Sequence, residues 1–240
     1  MPIHKVWRES RPRFLFVLAA LLLVTAASTF YNSTTESVVL ETKDFHQAGS
    51  RTFQGPLFLF WGFAAMFLGL GGLLRERAVG TVDYTLSLPV SRTRWFLYRA
   101  INGALQALAV AIVPALAVPL FASLFGSDYP IGEAAIHGLR LGIGGMLFYS
   151  IGLLTSSLFA GEFTSAGLGI ALVFVVNNST RIFQTLKPLN LQDAIAPTQM
   201  MDTSPYLARG AMPWTGICVS FALSVVFASL AWKLHKLRDF

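Results

Sequence analysis

Charge is scarce in this chain: 12% of its 240 residues are Asp, Glu, Lys or Arg, against about 25% in soluble domains. With 54% hydrophobic residues and a mean hydropathy of +0.60, water is not its main solvent. Cysteine is nearly missing as well. Cys218 is the single one, which excludes an intrachain disulfide, a cysteine-ligated zinc site and an iron–sulfur cluster. No Gly-rich loop ends in Gly-Lys-Ser or Gly-Lys-Thr, so the chain has no P-loop to cradle ATP. A Gly-x-Ser-x-Gly elbow and a His-Glu-x-x-His helix are also missing, which removes the common routes to an intramembrane hydrolase. The histidines His4, His46, His137 and His235 fall on different connections and helix ends, without i, i+3 or i, i+4 pairing. That pattern gives no metal or haem ligand set, and neither catalysis nor a resident cofactor is expected.

What is present is a succession of six apolar runs, at 14–31, 56–74, 100–125, 137–159, 164–183 and 213–232, each near the ~20 residues that cross a bilayer as a helix. The runs lack the alternation of lipid-facing and lumen-facing residues found in barrel strands. Helices are the other way to satisfy the backbone in lipid, so residues 1–240 are read as one all-α membrane domain with six transmembrane helices. The first run resembles a secretory signal, but Phe30, Tyr31 and Asn32 follow it instead of small cleavage-site residues, and it is read as a retained span. The fifth run is the weakest, being Gly-rich and giving way to Asn177, Asn178 and Arg181.

The net charge of +6 would suit nucleic acid if it were spread over a soluble face. Instead the cations gather at the ends of the apolar runs. Lys5, Arg8, Arg11 and Arg13 precede the first span, Arg75, Arg77, Arg92, Arg94 and Arg99 fill the second connection, and Lys233, Lys236 and Arg238 close the chain. The first, third and fifth connections hold Lys43, Arg51, Lys187 and Arg209. The positive-inside rule therefore puts both termini in the cytoplasm, and no nucleic-acid partner is expected. Arg140 sits near a span end, where its long stem can snorkel to the headgroups. The stretch from His4 to Arg11, with Trp7, either lies in the membrane surface as an interfacial helix against anionic lipid or serves only as a charged flank. Small residues at four-residue spacing, Gly138 with Gly142 and Gly161 with Ser165 and Gly169, allow close helix approach within one chain or between two. Pro114 and Pro119 suggest kinks in the third span.

The second connection carries the most information. Thr81 can cap a short helix, Asp83 favours its positive dipole end and Pro89 ends it. Val82, Tyr84, Leu86 and Leu88 give that helix more apolar surface than a solvated hairpin needs. Ser91 can cap a second helix that places Trp95 and Phe96 at the interface before the third span. Such a segment is either an elbow lying on the membrane or a docking helix for a soluble partner.

The run from Glu76 to Arg92, read as Glu-Arg-x-x-Gly-Thr followed by Leu-x-Leu-Pro-Val-Ser-Arg, resembles the signature of type-2 ABC transporter permeases. The six spans, the basic N-terminal stretch and the Pro-broken connection from Thr180 to Met212 resemble that family too. The resemblance implies a cytoplasmic coupling helix that contacts an ATP-binding cassette ATPase subunit through Glu76, Arg77, Gly80, Thr81, Asp83, Tyr84, Leu86, Leu88 and Pro89. It also implies a second permease subunit, the same or homologous, in the plasma membrane of a prokaryote, with ATP and Mg bound by the ATPase. An exporter is the expected activity, and nothing in the matched residues selects a substrate. The rival reading is a non-transporting membrane anchor that holds a partner by the same hairpin.

The charge distribution yields a direct test. Single cysteines at Ser87 and Asp239 should stay unlabelled by an impermeant thiol reagent in intact cells, whereas one at Ser37 should react. The reverse pattern overturns the orientation.

Overall fold

The computed structural model describes residues 2–39, 56–70, 92–125, 129–159, 161–177 and 214–237. Among these residues the chain forms helices and no strand: α1 (Pro2–Val39), α2 (Pro56–Leu70), α3 (Arg92–Leu124), α4 (Ile131–Gly144), α5 (Met146–Leu158), α6 (Glu162–Asn177) and α7 (Trp214–Leu237). Four stretches are long and apolar enough to cross a membrane, Val6–Asn32, Thr93–Leu124, Ile131–Leu158 and Ile217–Leu237. Leu59–Leu70 and Phe163–Val176 are shorter apolar helices. They occupy the places of the expected second and fifth spans, each followed by residues outside the description. Large apolar side chains face outward along the bundle, with Phe16 at 76%, Leu23 at 72% and Phe163 at 93% exposure, a surface that hydrocarbon covers and water would not.

Three boundaries differ from the sequence expectation. The N-terminal stretch is not a separate interfacial helix, because α1 runs without a break from Pro2 through Pro12 into the first span. Its 38 residues reach about 57 Å at 1.5 Å per residue, well beyond the ~30 Å hydrocarbon core. Trp7 packs on Phe14 across Pro12, with ring centroids 5.9 Å apart, and side-chain bonds from Ser10 to α3 hold these first turns against the bundle. The second expected helix of the long connection is likewise continuous with the third span. α3 starts at Arg92, next to the Ser91 cap position, and continues through Pro114 and Pro119. Trp95 and Phe96 are buried in the first turns of α3.

The fourth span begins at Ile131, six residues earlier than expected, and divides at Gly145. Pro130, in extended conformation, precedes α4, and Glu133 lies in its first turn, where a carboxylate meets the positive end of the helix dipole. Burial and the Glu133 carboxylate push the phenol of Tyr129, just before α4, above its ordinary pKa, so it stays neutral. At the division, the Gly145 N–H donates to the Leu141 carbonyl at 2.8 Å and the Phe148 N–H to the Gly145 carbonyl at 3.0 Å. Trp61 of α2 requires glycine here, since its indole fills the space where any side chain at position 145 would stand. Trp61 is 1% exposed and meets Phe148 edge-on at 5.9 Å.

α5 is the centre of one half of the bundle, packing on α7, α2 and α6, while α3 is the centre of the other, packing on α1, α4 and α2. The small-residue seams are spent inside the chain. Gly138 and Gly142 admit Ala111, Ala115 and Leu108 of α3, and Gly169 admits Met66 of α2; Ser165 is fully buried. The closest approach joins α2 to α5, where a methyl on Gly152 would overlap the Met66 carbonyl and one on Gly69 the Tyr149 carbonyl.

Gly152→Ala should lower the detergent melting stability by about 1–3 kcal/mol, since backbone cannot yield as a side chain can. Gly167→Ala, with nothing within 4 Å of the added methyl, should leave it unchanged. Equal melting of the two variants would refute this account of the α2–α5 contact.

Candidate functional site

Polar side chains inside an apolar bundle must bond to one another or to backbone, and at one end of this bundle they do so across three helices, α1, α3 and α5. The Ser10 hydroxyl donates to the Val6 carbonyl at 3.0 Å and accepts from Asn102 Nδ2 at 3.0 Å and Gln106 Nε2 at 2.7 Å. One donor and two acceptor positions are thereby used, the full capacity of a hydroxyl. The Tyr149 hydroxyl donates to the Ala100 carbonyl of α3 at 2.9 Å. His235 of α7 stacks on Phe96 of α3 at 5.3 Å, and the Arg99 guanidinium lies 5.9 Å from the Trp95 ring centre.

These contacts bring the start of α1, the end of α2, the start of α3 and the end of α7 to the same end of the molecule. Arg8 and Arg11 of α1, Arg94 of α3 and Lys233 and Lys236 of α7 are exposed there. Lys236 and His235 occupy the last turn of α7, where a cation meets the negative end of the helix dipole. Basic residues gathered from separate parts of the sequence thus share one end of the fold.

The residues of the expected coupling helix, Glu76, Arg77, Gly80, Thr81, Asp83, Tyr84, Leu86, Leu88 and Pro89, lie outside the described residues. Both anchors of that segment are described. α2 ends at Leu70 beside Tyr149 of α5, and α3 begins at Arg92, two turns before Ala100. The 71–91 connection leaves from, and returns to, the basic end.

Two interior residues depart from the sequence reading. Arg140 does not snorkel from a helix end: it is 3% exposed and, with α4 starting at Ile131, lies about 14 Å along the helix. His137, expected as the first residue of the fourth span, is one turn before Arg140 inside α4 and is also buried. The missed signal was the start of α4, since Pro130 followed by Glu133 three residues on is a helix-start pattern. A buried charge at such depth costs at least ~2.5 kcal/mol even on lenient scales. Arg140 and His137 lie on the part of the fold where α4 packs on α3 and α7. Among the described residues no group of His, Cys, Asp and Glu is arranged to hold a metal ion.

A bundle that is all-helical among the described residues, with an outward apolar surface and cations at one end, is a multi-pass membrane domain. The family model for ABC-2 family transporter proteins matches residues 8–232, and the chain belongs to that family, the membrane-spanning permeases of type-2 ABC transporters. No curated protein matches it significantly.

Ser10→Ala removes the acceptor shared by Asn102 and Gln106. Because buried amide donors then lose their partner, the melting stability should fall by about 1–3 kcal/mol, and limited proteolysis should release the N-terminal turns first. Wild-type melting and cleavage would show that these bonds do not hold α1 to α3.

Proposed function

We propose that this chain is the permease subunit of an ATP-driven exporter, with six transmembrane helices and both termini in the cytoplasm of a prokaryotic cell. It would pair with a second permease subunit, the same or homologous, and with two separate ATPase subunits that bind ATP and Mg. The observation that carries the proposal is the convergence of the α2 end, the α3 start and both terminal helices at one basic end, the end at which a soluble subunit would dock. Family membership supports the same reading. Binding of ATP would close the ATPase pair and displace the coupling helices. The bundles would then change between inward and outward access, with lipid-facing surfaces remaining in hydrocarbon throughout.

In this reading the chemistry belongs to the ATPase, and the permease contributes a docking helix, a path and a mechanical linkage. Tyr84 and Leu86 would lie in the docking contact with their apolar surface covered. Replacing both by Asp buries two carboxylates without partners, a loss of several kcal/mol. About 3 kcal/mol corresponds to a roughly hundred-fold weaker complex.

Co-purification with the ATPase subunit and ATP turnover of the complex measure the effect, with expression level and detergent melting of the permease as controls for misfolding. Wild-type assembly and turnover in the double variant would reduce the 76–88 segment to a membrane elbow and remove the residue-level basis of the proposal.

A further inference from the structure

Tyr149 touches both helices that bracket the 71–91 connection. Its hydroxyl bonds the Ala100 carbonyl of α3 at 2.9 Å, and its ring fills the notch left by Gly103, where an added methyl would come within 2.9 Å of Cε2 and overlap the hydroxyl. Its own carbonyl lies against Gly69, one residue before the end of α2. The residue is 5% exposed, and α5, which carries it, packs most extensively on α7.

The materials of these contacts matter. Where side chains meet side chains, helices can slide by changing rotamers. At Gly69 and Gly152 backbone meets backbone, and a close-packed interface of that kind transmits displacement instead of absorbing it. The hydroxyl bond adds direction, tying α3 to α5 at one carbonyl. Between α3 and α7, Phe96 stacks its ring face on His235.

We propose that Tyr149 is the positioning residue that passes displacement of the α2 end and α3 start into α5 and from there into α7, so that ATP-driven movement at the basic end reaches the opposite end of the bundle. The inference rests on the permease reading above and adds a residue and a route to it. Ser10, bonded to Asn102 and Gln106 just beyond Ala100, makes α1 move with α3 on the same side of the junction.

The test uses two reporter positions in the assembled complex. Thr93 is exposed at the start of α3, and the native Cys218 is free and exposed near the start of α7, at the other end of the bundle. A nitroxide is placed on Cys218, or on Thr93→Cys with Cys218→Ser, and spectra are recorded with and without ATP plus vanadate. With the native Tyr149, both reporters should respond. In Tyr149→Phe, whose ring still fills the Gly103 notch, the reporter at 93 should respond as before. The ratio of shifted to unshifted population at 218 should fall about five-fold, the equilibrium equivalent of one net hydrogen bond.

Gly103→Ala, which crowds the Tyr149 ring while leaving its hydroxyl present, should act in the same direction, with complex assembly and melting measured on each preparation. A wild-type response at 218 in Tyr149→Phe overturns the proposal. So does a loss confined to Gly103→Ala, because packing alone would then carry the motion. If the ATPase subunit fails to bind the native chain, or neither reporter of the native complex responds to nucleotide, the permease reading itself fails.

Discussion

Helices in a bilayer gain little from covering apolar surface that hydrocarbon already covers, so close backbone approach and internal polar bonds must hold them together. The contact of α2 with α5 supplies the approach. Gly69 and Gly152 remove both side chains from the crossing, and the main chains meet there. Once α2 is fixed at that distance, Trp61 one face away has to be accommodated, and the fourth span divides at Gly145 to admit it. The same placement sets Met66 into the hollow at Gly169 and Gly62 against Val173 and Phe148, which locates α6. Much of one half of the bundle follows from two missing side chains.

Polar bonds hold the other half. Ser10, Asn102 and Gln106 satisfy one another between α1 and α3, while most hydroxyls elsewhere bond the preceding turn of their own helix, as Thr25 and Thr29 do. The bonds of Ser10 and Tyr149 to α3 lie towards the basic end, the place where cations from α1, α3 and α7 collect.

Membrane class, helical composition and the common end for the basic residues were legible in the sequence. Hydrocarbon thickness and backbone satisfaction leave few alternatives for apolar runs of such length, and cations at run ends follow the same bias in any fold. The family resemblance lay in the 76–92 run, whose motif depends on residue order and not on tertiary contacts. α3 is one continuous helix through Pro114 and Pro119. The roles of Gly138 and Gly142 stayed open in the sequence, because four-residue spacing of small residues serves a contact within one chain or between two equally well.

What only the tertiary structure decided is which surfaces those helices present to each other. Arg140 reads as a residue near a span end until Ile131 is seen to start the helix, and its burial depends on α3 closing over α4 at Gly138 and Gly142. Nothing in the local sequence distinguishes Tyr149 from an ordinary aromatic in a lipid-facing run; its bond to Ala100 and its fit at Gly103 arise from residues 49 and 46 positions away. Local hydrophobicity and charge fix that a helix spans and which end is basic, because each helix meets the bilayer separately. Partners across the bundle depend on side-chain volumes at crossings that the bilayer does not specify, and those were settled only when the helices packed.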